Sequence, residues 1–540
     1  MSGRECKPDR AQPLKKMKRL LLALALLATT VFGQGSLTPA RLLQPSTDSW
    51  PTYNGDYSGR RFSTLSKVNA NNINSLSLAW VFRAVTGTNL NATIKSTPLV
   101  VNGVMYFTVP DHVWAIDART SRQIWHYSWQ SQGGDHIGNR GVGILGNWLF
   151  FETPDCHLVS LDLKEGKERW RQKICDLNQY YFASVAPVIV KNHVIVGVSG
   201  DDLDIPGYLQ ARSPETGELQ WQWNASPKPG EPGSETWPNA EAMLHGGGMT
   251  WVPSTYDPDL NLLYLGTGNP QPVIAGKGRK GDNLFTESIV ALNADTGKLA
   301  WHFQPSPHDT HDWDAVQTPV LFDGEVNGQP RKLLAQASRN GWFFVLDRTN
   351  GKNIITSEYV KTNWTSGLDS KGQPIPSPAK EPQLDGALVS PNQGGAANWH
   401  PPSFSPETGL FYVNSTRAFS VYYIFDDDEK PQGWGGNDRS GFSEGMMQAI
   451  DYKTGKVRWS HKWEGAIGRF GVLSTAGNLV FTGDPSNNFV ALNARTGEAL
   501  WHANLGAPQS NGPITFELDG SQYVVTAAGD TLFSFVMLTR

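Results

Sequence analysis

Three aspartates and two histidines crowd into the stretch His308-Asp309-Thr310-His311-Asp312-Trp313-Asp314. Asp312 and Asp314 are two apart, so an extended chain places both carboxylates on one side. Two carboxylates on one side repel unless a cation lies between them or one takes a proton. Such a pair suits a hard metal ion bound through oxygen, with one member left to act as a base. A solvated acidic turn is the plainer alternative. Zinc held by His308 and His311 is less favoured, because no third nitrogen or sulfur ligand is placed nearby.

The elements around this stretch are set by an internal repeat. Ala115 to Trp125 recurs as Ser160 to Trp170, Ala211 to Trp221, Ala291 to Trp301, Ala449 to Trp459 and Ala491 to Trp501. Val345 to Lys352 repeats the pattern without the tryptophan. Each unit reads as strand, turn, strand, most often with Thr-Gly supplying the turn. The closest tryptophans are 45, 51 and 42 residues apart, the length of a four-stranded blade. Seven units plus an opening strand at Leu78-Ala79-Trp80 predict an all-β, eight-bladed β-propeller with docking tryptophans. The 55 glycines, 35 prolines and lack of long helical periodicity agree.

Residues 1–33 read as a signal peptide, with Lys15, Lys16, Lys18 and Arg19 ahead of the apolar run Leu20 to Ala28. Nine apolar residues are too few to span a bilayer, and no later run is long enough either. Residues 34–540 are expected to form one exported, periplasmic domain. Taking away the leader's seven basic and two acidic residues leaves 39 against 48, a net charge of about −9. That argues against nucleic acid and permits a basic protein partner. Cys156 and Cys175 remain as an even pair for an oxidising compartment, and their register decides whether they meet. No Cys-x-x-Cys-His occurs to attach a haem. The inserts Pro227 to Glu241 and Tyr422 to Glu444, rich in Gly, Pro and charge, read as loops.

Trp50-Pro-Thr-Tyr-Asn54-Gly-Asp56 opens the folded region and, with the tryptophan repeats, resembles the pyrroloquinoline quinone (PQQ) dependent alcohol dehydrogenases. The likeness runs from about Ser49 to the C-terminus and implies the roles that follow. Arg140 in Asn139-Arg140-Gly141 resembles the arginine that meets a cofactor carboxylate, a planar fork suited to a tricarboxylate. Ser184, Ser199 and Gly200 match cofactor-lining positions, and Trp251 in Gly248-Met249-Thr250-Trp251 matches the floor on which the quinone lies. Asp202, shorter than the family's glutamate, and Asn269 in Gly266-Thr267-Gly268-Asn269-Pro270 match metal ligands of the oxygen type that calcium prefers. Asp312 falls on the catalytic aspartate and Asp314 on a position acidic in some members. Arg339 in Arg339-Asn340-Gly341 and Asn398 in Asn398-Trp399 match further cofactor contacts. Three departures stand out. Gly133-Gly134-Asp135-His136 stands where the family often has adjacent cysteines, Lys95 where many members have glutamate, and Arg469 where a tryptophan is expected.

The resemblance implies oxidation of an alcohol, with Asp312 as base, PQQ as electron acceptor and a soluble cytochrome c taking the electrons onward. Calcium is the expected ion, held by Asp202, Asn269, Asp312 and Asp314. In the resembling family, an acid two residues after the catalytic aspartate also marks the lanthanide-dependent methanol dehydrogenases. Membrane glucose dehydrogenases look similar there without needing a lanthanide. The competing class is a non-catalytic periplasmic propeller scaffold, which needs the tryptophans but not Asn269, Asp312 or Arg339. A polysaccharide hydrolase would need two opposed carboxylates and no quinone floor.

Overall fold

The repeats fold as hairpins whose turns are held by the acid or amide that ends the first strand. Between His112–Asp117 and Gln123–Ser128, Asp117 Oδ1 accepts the backbone N–H groups of Arg119 and Thr120. Between Ile289–Asn293 and Leu299–Phe303, Asn293 Oδ1 does the same for Asp295 and Thr296. These local bonds pin the turn before any tertiary contact forms. The computed structural model describes residues 1, 36–87, 93–200, 204–426, 433–465 and 467–537. Leu37–Arg540 forms one compact unit. The signal-peptide stretch, Asp202 and the acidic run from Asp427 lie outside the described residues.

Trp125, Trp221, Trp301 and Trp459 each clasp the following hairpin in two ways, and Trp80 in the first of them. The indole N–H donates to a carbonyl there: Trp80 to Ala118, Trp125 to Leu163, Trp221 to Ala294, Trp301 to Arg348 and Trp459 to Ala494, all at 3.0–3.1 Å. Except at Trp80, the ring also lies flat against the turn glycine of that hairpin. A Cβ on Gly351 would come within 2.6 Å of the Trp301 ring, and on Gly166 within 2.6 Å of Trp125. The glycine is therefore required both for its positive φ and for its missing side chain. Trp170 keeps the ring contact, to Gly217, but its buried Nε1 has no acceptor among the described residues. Gly351→Ala, at φ +74, is expected to cost about 2–3 kcal/mol through overpacking and left-handed strain. A depressed melting temperature checks this; an unchanged one would refute the clasp.

Among the described residues the strands make eight sheets of four or five strands and one two-stranded ribbon. The architecture is the expected all-β propeller. One sheet joins the two ends of the fold: Leu76–Arg83 pairs antiparallel with Thr531–Met537. A second tie is parallel, Phe62–Ser63 against Ser474–Thr475. No described helix is long and apolar enough to cross a membrane.

Two expectations resolve here. Cys156 and Cys175 form a disulfide across a Cα separation of 5.0 Å. The register allows it because Lys173 pairs with His157, leaving Cys156 one residue and Cys175 two residues beyond the ladder. Closing this loop contributes about 3 kcal/mol in the chain-entropy picture. The insert from Tyr422, by contrast, is not a loop. Leu410–Ile424 and Gly436–Asp451 pair as a long ribbon, with Tyr422 opposite Asp438 and Ile424 opposite Gly436. Tyr422, Tyr423 and Ile424 on one arm and Phe442 on the other are strong strand formers, and they outweigh the interspersed Gly and charge. The insert from Pro227 holds a short 3-10 turn, Ser234–Thr236, and runs into the helix Ala240–His245, capped by Asn239.

The sheets also explain how distant residues meet. Arg140, Ser184, Trp251, Asp312 and Asp314 each lie a few residues before the first strand of a sheet. Ser199, Asn269 and Arg339 lie just after the second. First and second strands run antiparallel, so both positions are the same end of the sheet. Successive sheets thus present their site residues at equivalent ends.

Candidate active site

The acidic stretch is shaped by Asp309, whose Oδ2 accepts the backbone N–H groups of His311 and Trp313, both at 3.2 Å. Trp313 is fully buried, donates to the Asn392 carbonyl at 3.0 Å and stacks on His311 at 4.3 Å. His311 Nε2 faces the Lys380 carbonyl, and His308 Nδ1 faces that of Gly281. Both histidines are thus anchors of the loop rather than zinc ligands. Burial pushes His311 down to about 3 and His308 to about 4, so both are neutral. Directly after these anchors Asp312 adopts φ +62. The chain is not extended there, and the two carboxylates meet for another reason.

That reason is Arg339. Its Nη2 donates to Asp312 Oδ2 at 2.9 Å, and its Nη1 lies 3.3 Å from Asp314 Oδ2. Its Nε and Nη2 also donate to the Gln393 carbonyl, and its backbone N–H donates to Gln317 Oε1. Burial alone would lower the guanidinium's pKa, but Asp312, Asp314 and Glu287 raise it, so the charge is fixed. Gln393 Nε2 donates to Asp312 Oδ2 at 3.0 Å, which fixes the carboxyl's rotation. Asp314 is fully buried, accepting from the Asn269 backbone N–H and the Trp251 indole N–H at 2.8 Å each. Burial pushes its pKa up, while Arg339, Asn269 and Trp251 oppose the rise. One lone-pair direction of Asp314 Oδ1 remains after these donors are counted.

Beside this pair lies an aromatic and cationic wall. The Arg140 guanidinium sits over Trp251 at 4.6 Å and over Trp399 at 5.3 Å, and its Nη1 donates to Ser184 Oγ at 2.7 Å. Ser184 Oγ and Ser199 Oγ are 3.2 Å apart, and Gly200 has φ +130. Asn398 is tied inward, its amide nitrogen on the Gly394 carbonyl and its oxygen on the Trp399 N–H. Asn269 donates through Nδ2 to Pro270, but its Oδ1 is buried with no hydrogen-bond partner among the described residues. A buried amide oxygen without a donor is costly unless it serves a cation. The site therefore fits an oxygen-bound ion, although no three described His, Cys, Asp or Glu side chains group around one point.

Sequence reasoning missed Gln393, Gln317, Trp399 and Glu287. Glu287 is fully buried, with neither oxygen bonded among the described residues. Burial first, then the charges of Asp309 and Asp314, push its pKa well above the ordinary 4.5. A raised carboxyl pKa stabilises the fold below the unfolded value, and that stabilisation is lost as pH rises towards the folded value. Glu287→Gln is therefore expected to melt higher than wild type at about pH 8.5, with the gap closing towards pH 5. Thermal melts across this range check it; a gap that widens towards acid would refute it.

A sequence profile described as the PQQ glucose/ethanol/alcohol dehydrogenase β-propeller domain matches residues 50–383 and 445–524. The quinohemoprotein alcohol dehydrogenase of Comamonas testosteroni is 38% identical over 530 residues, spanning 89% of this chain and 73% of that protein. The quinoprotein alcohol dehydrogenase PedH of Pseudomonas putida is 37% identical over 87% of this chain and 84% of its own length. The solved structure of a europium-containing methanol dehydrogenase superposes with a TM-score of 0.84 at 29% identity, covering 92% of this chain and 99% of that one.

Proposed function

As a member of the PQQ-dependent alcohol dehydrogenase family, the chain oxidises alcohols with PQQ, and from that premise we propose that Asp312 is the base. This membership sets aside the non-catalytic scaffold. The observation that carries the proposal is the sharing of one guanidinium by Asp312 and Asp314 beside the Trp251 indole.

PQQ, when bound, supplies the two-electron acceptor, and a bound ion supplies Lewis acidity. Asp312 takes the hydroxyl proton of the substrate alcohol, its carboxyl aimed by Gln393 and Arg339. Arg339 places positive charge where negative charge develops. Trp251 is the stacking platform, steered by Asp314 through its N–H. Arg140, with Ser184, Ser199, Gly200 and Asn398, would hold the cofactor's polar rim. Asp202, Asn269, Asp312 and Asp314 hold the ion. We assign calcium as that ion. The likeness to a europium-containing enzyme favours a second reading, a lanthanide, since three carboxylates match a trivalent charge. The residues 1–33 act as an export signal, and electrons pass to a soluble cytochrome c in the periplasm.

Chelated, PQQ-free protein is expected to oxidise alcohols only after PQQ and one metal ion are both restored. Calcium restoring full turnover, with no gain from lanthanum, separates the two ion readings. Turnover that persists without PQQ overturns the proposal.

A further inference from the structure

Arg140 does not stand alone among the cations of this wall. His400 stacks on Trp399 with centroids 4.1 Å apart, and Trp399 is the ring that Arg140 also faces. His400 Nδ1 is buried with no hydrogen-bond partner among the described residues. Burial, then the charges of Arg469, Lys95 and Arg140, push its imidazole down to about 3. It is therefore a neutral ring on which three cations act, with a ring nitrogen to offer.

Arg469 shares this character. Its Nε is buried and lacks an acceptor among the described residues. Its guanidinium presses on Gly394, the residue between Gln393, which aims Asp312, and the Asn398 loop whose amide bonds the Gly394 carbonyl. Burial and the charge of Arg339 push it down to about 10, which still leaves it protonated at neutral pH. No carboxylate is among the groups that act on Arg469 or His400. Lys95 adds an ammonium that is anchored to the Ile137 carbonyl and loses proton affinity through burial and Arg140. Arg339 contrasts with Arg469 and His400, being matched by two aspartates.

Buried cations without a counter-charge are destabilising, and the repulsion is relieved when an anion enters. An arginine, unlike a lysine or histidine, does not relieve it by losing its proton. A planar polyanion is the ligand class that answers several cations lying around one aromatic platform.

We propose that Arg469 and His400, with Lys95, form a second carboxylate-binding end of the cofactor pocket, so that the acid groups of PQQ are gripped at two places rather than at Arg140 alone. This rests on the PQQ reading above. It makes Arg469 and His400 affinity-determining residues for the cofactor, with no part in the proton transfer.

The test is titration of PQQ into metal-loaded apoprotein, followed by tryptophan fluorescence at several sodium chloride concentrations. Arg469→Gln is expected to weaken PQQ binding about tenfold, the loss of one charge-assisted contact, and to flatten its salt dependence. Arg469→Lys, which keeps the charge, is expected to keep the wild-type salt dependence and so controls for misfolding. Wild type that binds PQQ, with Arg469→Gln binding as tightly and with the same salt dependence, overturns this inference alone. Flattening by the same amount in both variants overturns it as well, since charge would then not be the cause. Wild type that takes up no PQQ overturns the parent reading instead.

Discussion

Asp312→Asn is expected to lower kcat by about a thousandfold or more while PQQ stays bound. General-base contributions are commonly about 10²–10⁴-fold. The amide preserves the shape of the side chain and can still accept from Arg339 Nη2 and Gln393 Nε2, which now meet Asp312 Oδ2 at 2.9 and 3.0 Å. What it loses is the ability to take a proton. Cofactor retained after gel filtration, alongside the lost turnover, separates a chemical defect from an emptied pocket. Turnover within tenfold of wild type would remove Asp312 from the mechanism.

Arg339→Gln is expected to damage both stability and rate. Removing the guanidinium leaves Asp312 and Asp314 buried together without their shared counter-charge. Breaking a buried ion pair from one side typically costs about 3–5 kcal/mol. Loss of a preorganised positive donor at the reacting centre costs a further 10²–10³-fold in kcat, roughly. Arg339→Lys distinguishes the two effects. A lysine restores charge, and hence much of the stability, but its single ammonium cannot fork between two carboxylates while bonding the Gln393 carbonyl. Denaturant melts should therefore rank wild type above lysine above glutamine, with kcat low in both variants. A lysine variant with wild-type kcat would show that the fork is unnecessary.

The repeat was legible because one residue does two jobs at each turn. Gly351 and Gly166 must be glycine for φ and for the indole above them, so the turn-glycine and tryptophan marks recur in most of the sheets. The ribbon around Tyr422 was misread because its arms carry glycine and charge on the solvent side, and strand pairing between residues 422 and 438 leaves no local periodicity. Asp312 and Asp314 were found from their type and spacing, yet by a geometry the chain does not adopt. Their convergence depends on Arg339, 27 residues beyond Asp312. Gln393 acts on Asp312 across 81 residues, and Glu287 and His400 belong to no pattern. Such partners are fixed by tertiary packing, and a sequence read singly does not show them.

The sheet that joins Leu76–Arg83 to Thr531–Met537 has a kinetic consequence. A chain made from its N-terminus at about 10 residues per second presents Leu76–Arg83 some 45 seconds before its partner exists. During that wait the strand is an open edge, with Leu78 and Val81 pointing outward even in the finished fold. Sheets along the way can close from neighbours in sequence, but the ring cannot. Closure of this sheet therefore waits for the latest strand, and a shortened C-terminus would leave Leu76–Arg83 as an aggregation-prone edge.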